Sequence, residues 1–342
     1  MSSLYRLSAW AFFGLKDYTR RGYESNSKNF NNEALNVDLT GKIAIVTGAN
    51  SGLGKHVASE LFRRGATVYM LCRDETRGEQ ARQDILSQIK TSFATENKVV
   101  DDNLLKLHKV DISDLKRVKE FVKQFDQEVG NCHILINNAG VMNNERNLTN
   151  YGVETNFAIN TLGTFFLTKQ MIPILQKSGP GSRVVIISSG GMYLNKLDTS
   201  DLQFERMKPF RGTLAYAQNK RQQVELTEYW AKANPESTTG IKFLSMHPGW
   251  ADTPGVNKSM ESFYNRTKSY LRTTAQGADT ILWAAFSKEV DDIPTGSFLF
   301  DRKVVSTHLP LAKTKSTEDD VKKLVDILDK LSEEVLAKDY SS

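Results

Sequence analysis

"TGANSGLG", Thr47 to Gly54, follows the apolar run Ile43–Thr47 and opens a segment where Leu53, Val57, Leu61 and Phe62 recur at helical spacing. Gly65 then offers the helix a stop. A glycine motif alone says little. At the turn from a buried strand into an amphipathic helix it acquires a physical meaning. Glycine tolerates the positive φ of a tight turn and lets backbone N–H groups come close to a pyrophosphate. The helix start adds orphan donors and partial positive charge. Gly48, Asn50, Ser51, Gly52, Leu53 and Gly54 are therefore candidate phosphate-side contacts. Gly54-Lys55 superficially resembles a nucleotide triphosphate loop. That motif needs glycine at 49 and serine or threonine at 56, where Ala49 and His56 stand. The dinucleotide reading wins.

Working outward, apolar β-rich runs alternate with helical patterns. The strand candidates are Ile43–Thr47, Thr67–Cys72, Leu104–Asp111, His133–Asn138, Arg183–Ser189, Ile241–His247 and Ser297–Asp301. Continuous runs such as "IAIV" and "VVII" suit parallel strands covered on both faces. Ser113 is the predicted N-cap of a helix bearing Leu115, Val118, Phe121, Val122 and Phe125. Strand–helix–strand alternation predicts an α/β fold, a doubly wound parallel sheet of the Rossmann type in a single domain. The predicted division is an N-terminal arm at 1–39, a nucleotide-binding domain at 40–312 and a C-terminal amphipathic helix at 313–342. That helix carries Leu324, Val325, Ile327, Leu328 and Leu331 between Ser316 and Lys338.

Bulk composition narrows the function classes. The 342 residues carry 45 basic and 40 acidic side chains, a net charge of +5 spread along the chain. No basic stripe interleaves with aromatics, so no nucleic-acid partner is expected. Cys72 and Cys132 fall in a strand and a strand entry, which fits a reducing, cytoplasmic setting without a disulfide framework. His56, His108, His133, His247 and His308 are scattered, and no metal site is expected. The apolar core of the N-terminus, Leu7 to Leu15, falls short of the roughly 20 residues that span a bilayer. Ser2 stands where N-myristoylation requires glycine. Residues 4–21 are expected to pack on their own domain. The alternative is a peripheral membrane surface, since Trp10, Phe12, Phe13 and Leu15 are flanked by Arg6, Lys16, Arg20 and Arg21.

Further motifs follow in order. Asp111 closes the third strand, followed by Ile112, and "NNAG" spans Asn137–Gly140, with Asn138, Ala139 and Gly140 at the strand end. Asn160 stands in "FAINTLG", Ser189 in "VVIISSGG", and "HPGWADT" brings Pro248, Gly249 and Thr253. A tyrosine precedes a lysine by four residues twice, at Tyr216/Lys220 and at Tyr264/Lys268. Residues i and i+4 share a helix face, so spacing alone cannot choose between them.

The ordered set from about Gly41 to Thr253 resembles the short-chain dehydrogenase/reductase family. A finer likeness to one subgroup is carried by "YAQNKRQQV", "SSGGM", "HPGWADTPGV", "QGADT", "DRK" and "STHLPLA". The resemblance implies an oxidoreductase that moves a hydride between a nicotinamide and a carbonyl or alcohol. It makes Asn160, Ser189, Tyr216 and Lys220 the catalytic set, and Tyr264 a decoy in the substrate lid. Asp111 matches the adenine-contacting acid and Thr253 the residue that meets the carboxamide. Asn160 is implied to order a water linking Lys220 to solvent.

The chemistry needs that company. The alkoxide left by hydride transfer must be protonated, and a tyrosine of pKa about 10 is a poor acid–base at neutral pH. Lys220 and the oxidised nicotinamide would favour the phenolate, and Ser189 would donate to the oxygen where charge develops.

An NAD site needs a carboxylate at the end of strand two. Cys72 stands there and Arg73 follows, a guanidinium able to fork onto a 2′-phosphate. The cofactor is therefore expected to be NADP(H). Gly190 to Thr213 is longer than the family's usual connection, so substrate entry is expected to be built differently. Trp250 suggests an apolar or planar substrate or, as an equal alternative, a packed tryptophan. The alternatives are a cofactor-binding regulatory protein with little turnover and a membrane-associated scaffold. The helix that bears Tyr216 also carries Lys220, Arg221, Gln222, Gln223, Glu225 and Glu228. Read as a solvated surface, this predicts a monomer or weak homodimer.

Overall fold

The computed structural model describes residues 3–95 and 99–338. The phosphate-loop strand β1 (Ile43–Thr47) runs parallel to its neighbours on both sides. On one side lie β2 (Thr67–Cys72) and β3 (Leu105–Lys109). On the other are β4 (Ile134–Asn137), β5 (Ser182–Ile187), β6 (Ile241–Met246) and β7 (Phe298–Phe300), and β8 (Lys303–Val304) closes the edge antiparallel. The order β3-β2-β1-β4-β5-β6-β7-β8 reverses direction between β1 and β4. That switch point opens a crevice at the carboxyl ends of the strands, where open α/β sheets bind ligands.

Before β1 come α1 (Ser3–Phe13) and α2 (Arg20–Asn26), and after it α3 (Gly52–Arg63), α4 (Glu75–Ala94) and α5 (Leu115–Glu128). The chain then forms α6 (Thr155–Phe157), a π-helical turn at Ala158–Gly163 and α7 (Thr164–Lys177). The remaining helices are α8 (Gly212–Ala233), α9 (Glu236–Thr239), α10 (Pro254–Ser259), α11 (Glu261–Thr267), α12 (Thr274–Phe286) and α13 (Glu318–Ala337). Alternate residues of β1 enter opposite cores. Ile45 joins Phe125, Phe165, Trp230 and Leu328 beneath α5, α7, α8 and α13, while Ala44 and Val46 join Val57, Ile85 and Ile281 beneath α3, α4 and α12. The predicted doubly wound parallel sheet is the one observed.

Boundaries shift where side chains compete with the ladder. Leu104 belongs to a 3-10 turn, and Ser188 and Ser189 lie beyond β5. The N-cap of α5 is Asp114 rather than Ser113. The Asp114 carboxylate accepts the Lys116 and Arg117 amides, while the Ser113 hydroxyl turns back to donate to Asp111 at 2.7 Å.

The N-terminal arm and α13 both pack on the domain. Trp10 of α1 packs on Trp250 with centroids 5.6 Å apart, and a Cβ on Gly14 would lie 2.4 Å from the Trp250 ring. Arg272 is 1% exposed and anchors the arm. Its guanidinium donates to the backbone carbonyls of Asp17, Tyr18 and Thr19 and forks onto Asp301 at 2.6 and 2.9 Å. The arm therefore packs on its own domain. At the other end, α13 starts in a Thr317–Asp320 capping box and buries Leu324, Val325, Leu328 and Val335. It lies against α5 and α8.

The polar stretch of α8 is a correction. Lys220, Arg221, Gln222, Gln223 and Glu225 are buried, not a solvated face. The helix is covered on two sides. Thr161 of the π turn donates to Gln222 at 2.7 Å, and Ser316 before α13 donates to Glu225 at 2.7 Å. Among the described residues no helix is long and apolar enough to cross a membrane.

Candidate active site

The crevice begins at the phosphate loop. Gly48 and Gly52 hold φ of +64° and +53°, the left-handed region that favours glycine. A Cβ on Gly54 would lie 2.4 Å from Asn138 Nδ2 and 2.5 Å from Gly48 O. Asn138 itself donates to Thr47 O at 2.9 Å and Gly48 O at 3.3 Å. The Thr47 hydroxyl accepts the Asn138 and Ala139 amides at 3.0 and 2.9 Å, stitching the ends of β1 and β4 together. Ser51, at the N-cap of α3, makes no side-chain cap, so the first amides of that helix face the loop. This bare glycine cradle at a helix start fits a dinucleotide pyrophosphate. Thr253 and Pro254 lie 3.5 Å from where a Gly52 Cβ would stand.

At the end of β2, Cys72 is buried and its thiol is pushed up to about 11 by burial. Arg73 next to it is 65% exposed, with its Nε 4.0 Å from the Asp111 carboxylate. Asp74 is occupied as the N-cap of α4, accepting the Arg77 amide at 3.0 Å.

Asn160 lies in the π-helical turn, 0% exposed. Such one-turn insertions often mark functional sites. Gly163 allows the turn to press against β3's exit, because a Cβ there would stand 2.1 Å from Ile112 O. The Asn160 side chain grips the chain after β4, accepting Val141 N and donating to Val141 O, both at 2.8 Å. Ser189 caps the 3-10 turn Gly190–Leu194, its Oγ accepting the Gly191 amide at 3.2 Å. Lys220 lies one helical turn beyond Tyr216 on α8, with Nζ 5.2 Å from the Tyr216 ring centroid. It donates to Ile187 O at 2.7 Å and Gln223 Oε1 at 3.0 Å. A Cβ on Gly140 would meet both Asn160 Oδ1 and Lys220 Nζ, at 3.2 and 3.5 Å. One crevice thus gathers the NNAG loop, the π turn, the Ser189 turn and α8.

The other tyrosines lie elsewhere. Tyr264 is on α11, with Lys268 exposed beyond it. Tyr193 is buried and donates to Ser306 O at 2.7 Å. Trp250, preceded by Gly249 in the left-handed region (φ +73°), packs among Trp10, Tyr18 and Phe263. It is a half-buried aromatic packed against the arm. Among the described residues no cluster of metal-ligating side chains occurs.

A model of the short chain dehydrogenase family matches residues 42–199. Dehydrogenase/reductase SDR family member 12 of Homo sapiens is 49% identical over 331 residues, covering 97% of this chain and 99% of the relative. The chain belongs to the short-chain dehydrogenase/reductase family. Retinol dehydrogenase 12 of Homo sapiens is 35% identical, covering 78% of this chain and 80% of that one. Among solved structures, an uncharacterised protein from Mycobacterium paratuberculosis superposes with a TM-score of 0.65 at 27% identity, covering 86% of this chain and 95% of that one. The chain is thus an oxidoreductase of this family, for which nicotinamide-dependent hydride transfer is the expected chemistry.

Lys220 and a bound oxidised nicotinamide are together expected to favour the Tyr216 phenolate. In the free chain burial dominates instead, pushing Tyr216 up to about 12 and Lys220 down to about 7. The ammonium is as desolvated as the phenol it was to help, so its charged form is itself disfavoured. The Gln223 side-chain amide stands between Lys220 Nζ and the main-chain carbonyl of Asn160, at 3.0 and 2.6 Å. Gln223, Thr47 and Arg272 had no local signal, because each acts on a partner distant in sequence.

The Lys220 shift predicts a stability slope. The unfolded chain keeps this proton up to 10.5, whereas the folded chain sheds it near 7. From pH 7 to 9 the unfolded state therefore binds more protons here, and this site's contribution makes stability rise with pH. Lys220→Met should flatten that component in denaturant titrations at the two pH values. Identical slopes in both proteins would contradict it.

Proposed function

We propose that the chain is an NADP(H)-dependent carbonyl reductase or alcohol dehydrogenase acting on CH–OH groups, with Tyr216 as its acid–base. The observation that carries this reading is the packing of Lys220 against the Tyr216 ring at 5.2 Å, in the crevice that also holds Ser189. A bound nicotinamide supplies or takes the hydride. Tyr216 gives the oxygen its proton on reduction and recovers it on oxidation. Ser189 donates to that oxygen as negative charge develops. Lys220 holds its charge near the phenol and keeps a donor for the ribose hydroxyls, and Asn160 fixes the chain after β4 that floors the site. Gly48 to Gly54, Asp111, Ile112, Asn138 to Gly140, Pro248, Gly249 and Thr253 are the cofactor-side contacts of this reading.

The similarity to proteins named retinol dehydrogenases supports a long apolar alcohol or aldehyde as substrate. NADPH oxidation measured against retinoids, steroids, short aldehydes and ketones tests it. Turnover confined to small polar carbonyls would refute the apolar assignment, and none at all would favour the regulatory reading.

Preference for NADP(H) rests on Cys72-Arg73, where an acid would select NAD, with Arg73 exposed enough to meet a 2′-phosphate. Arg73→Ala should weaken NADPH by about 1.5 kcal/mol, the lower end for a charge-assisted bond at an exposed site. NADH should lose far less, and equal losses in titration would overturn the assignment.

A peripheral membrane contact is supported by the outer face of the arm. Leu4, Leu7, Phe12 and Leu15 are 69%, 51%, 66% and 65% exposed, while Trp10 and Phe13 pack inward. Because Arg272 and Trp250 hold the arm's other face, the clean test changes the outer face alone. Phe12→Glu with Leu15→Glu should abolish flotation with anionic vesicles without lowering thermal stability. Unchanged flotation would remove the arm from consideration.

A further inference from the structure

We propose that Gln223 is a positioning residue of the active site, its side-chain amide bridging the Lys220 ammonium to the main-chain carbonyl of Asn160. The π-helical turn creates the vacancy it fills. In an unbroken α-helix the Thr164 amide would bond Asn160 O; here it bonds Thr161 O instead. That leaves the Asn160 carbonyl without its α-helical donor and open to a side-chain one. Gln223 Nε2 supplies it at 2.6 Å, while Gln223 Oε1 accepts Lys220 Nζ at 3.0 Å. The amide's orientation is set by the Asn160 carbonyl, which only accepts and so takes Nε2, leaving Oε1 for a Lys220 N–H. Gln223 and Asn160 are 0% exposed and Lys220 2%, so all three rely on these bonds.

The bridge has a functional consequence. Ile187 O and Gln223 Oε1 take two of the three Lys220 donors and aim the third toward Tyr216 and the cofactor side. A carboxamide neither gives up nor takes a proton on balance near neutral pH. The link from Lys220 through Gln223 to Asn160 therefore fixes the ammonium and carries no proton out through the α7 side. This inference rests on the reading of Lys220 as the working lysine.

Amine labelling of Lys220 in the full, cofactor-free chain tests it, using trinitrobenzenesulfonate and peptide mapping across pH. In Gln223→Glu a carboxylate faces the ammonium, and the labelling midpoint should rise by about 1–3 pH units, as for a lysine gaining an opposite charge. In Gln223→Ala the bridge is gone, and Lys220 should label about tenfold faster at fixed pH. A folded pair of variants with wild-type rate and midpoint would overturn the bridge. If neither variant folds, a crystal structure of the wild-type chain decides. The Gln223 amide should lie within hydrogen-bond reach of both Lys220 Nζ and Asn160 O, and a water joining those two with Gln223 turned away overturns the proposal. NADPH added to the wild-type reaction separates the two readings. Protection of Lys220 supports its place at the cofactor; absence of protection sinks the functional reading while leaving the bridge to the variants.

Discussion

Tyr216→Phe is expected to abolish turnover while leaving NADPH affinity within about twofold. The change removes one hydroxyl and almost no surface, so the binding crevice is preserved. Removal of a positioned general acid typically costs 10²–10⁴-fold in rate, and here no second proton donor is ready to replace it. Tyr193 is spent on Ser306 O, and Tyr264 belongs to α11 with its lysine exposed. Lys220→Ala should depress both turnover and NADPH binding, because one ammonium serves the phenol and the ribose. Stopped-flow reduction of an accepted aldehyde, with cofactor titration by fluorescence, separates these outcomes. Retained turnover in Tyr216→Phe together with loss in Tyr264→Phe would mean the wrong pair had been chosen.

Arg272→Leu is expected to destabilise the fold by roughly 3–5 kcal/mol, the range for breaking a buried ion pair by removing one partner. Asp301, 2% exposed, would be left charged without its guanidinium. Three carbonyls of the arm, on Asp17, Tyr18 and Thr19, would lose their donor at the same time. The arm should then become accessible to limited proteolysis before the rest of the chain. The loss should also reach the site, since Tyr18 touches the position a Gly190 Cβ would take, at 2.9 Å, directly after Ser189. Asp301→Asn added to Arg272→Leu should restore part of the stability by removing the unpaired charge. Urea titration showing a loss below about 1 kcal/mol would mean the pair is not an anchor.

Where local chemistry decides, the sequence was enough. The apolar runs from Ile43 to Ile187 declare strands buried on both faces, and their alternation with helices leaves the doubly wound sheet as the architecture. The glycines at 48, 52 and 54 mark backbone that no side chain could accompany, a requirement visible without any partner in view. The order of Asn160, Ser189, Tyr216 and Lys220 is what proposes Tyr216 over Tyr264, because the family likeness fixes which strand ends precede each tyrosine. Ser113 was misread as a cap because two adjacent oxygens compete for the same amides, and the difference between Ser113 and Asp114 is settled by Asp111 claiming the serine.

Tertiary contacts decided the rest. The polar run from Lys220 to Glu225 looks solvated in one dimension. In three, a π turn offers carbonyl and hydroxyl partners on one side and the segment before α13 offers Ser316 on the other, so Gln222, Gln223 and Glu225 each find a partner when buried. The arm likewise had two apolar faces in its sequence, and only Trp250 and Arg272 show which faces inward. The direction of the Lys220 and Tyr216 shifts also belongs to the fold. Spacing brings an ammonium beside a phenol, but burial sets the charge each can hold, and burial is a property of everything packed around them.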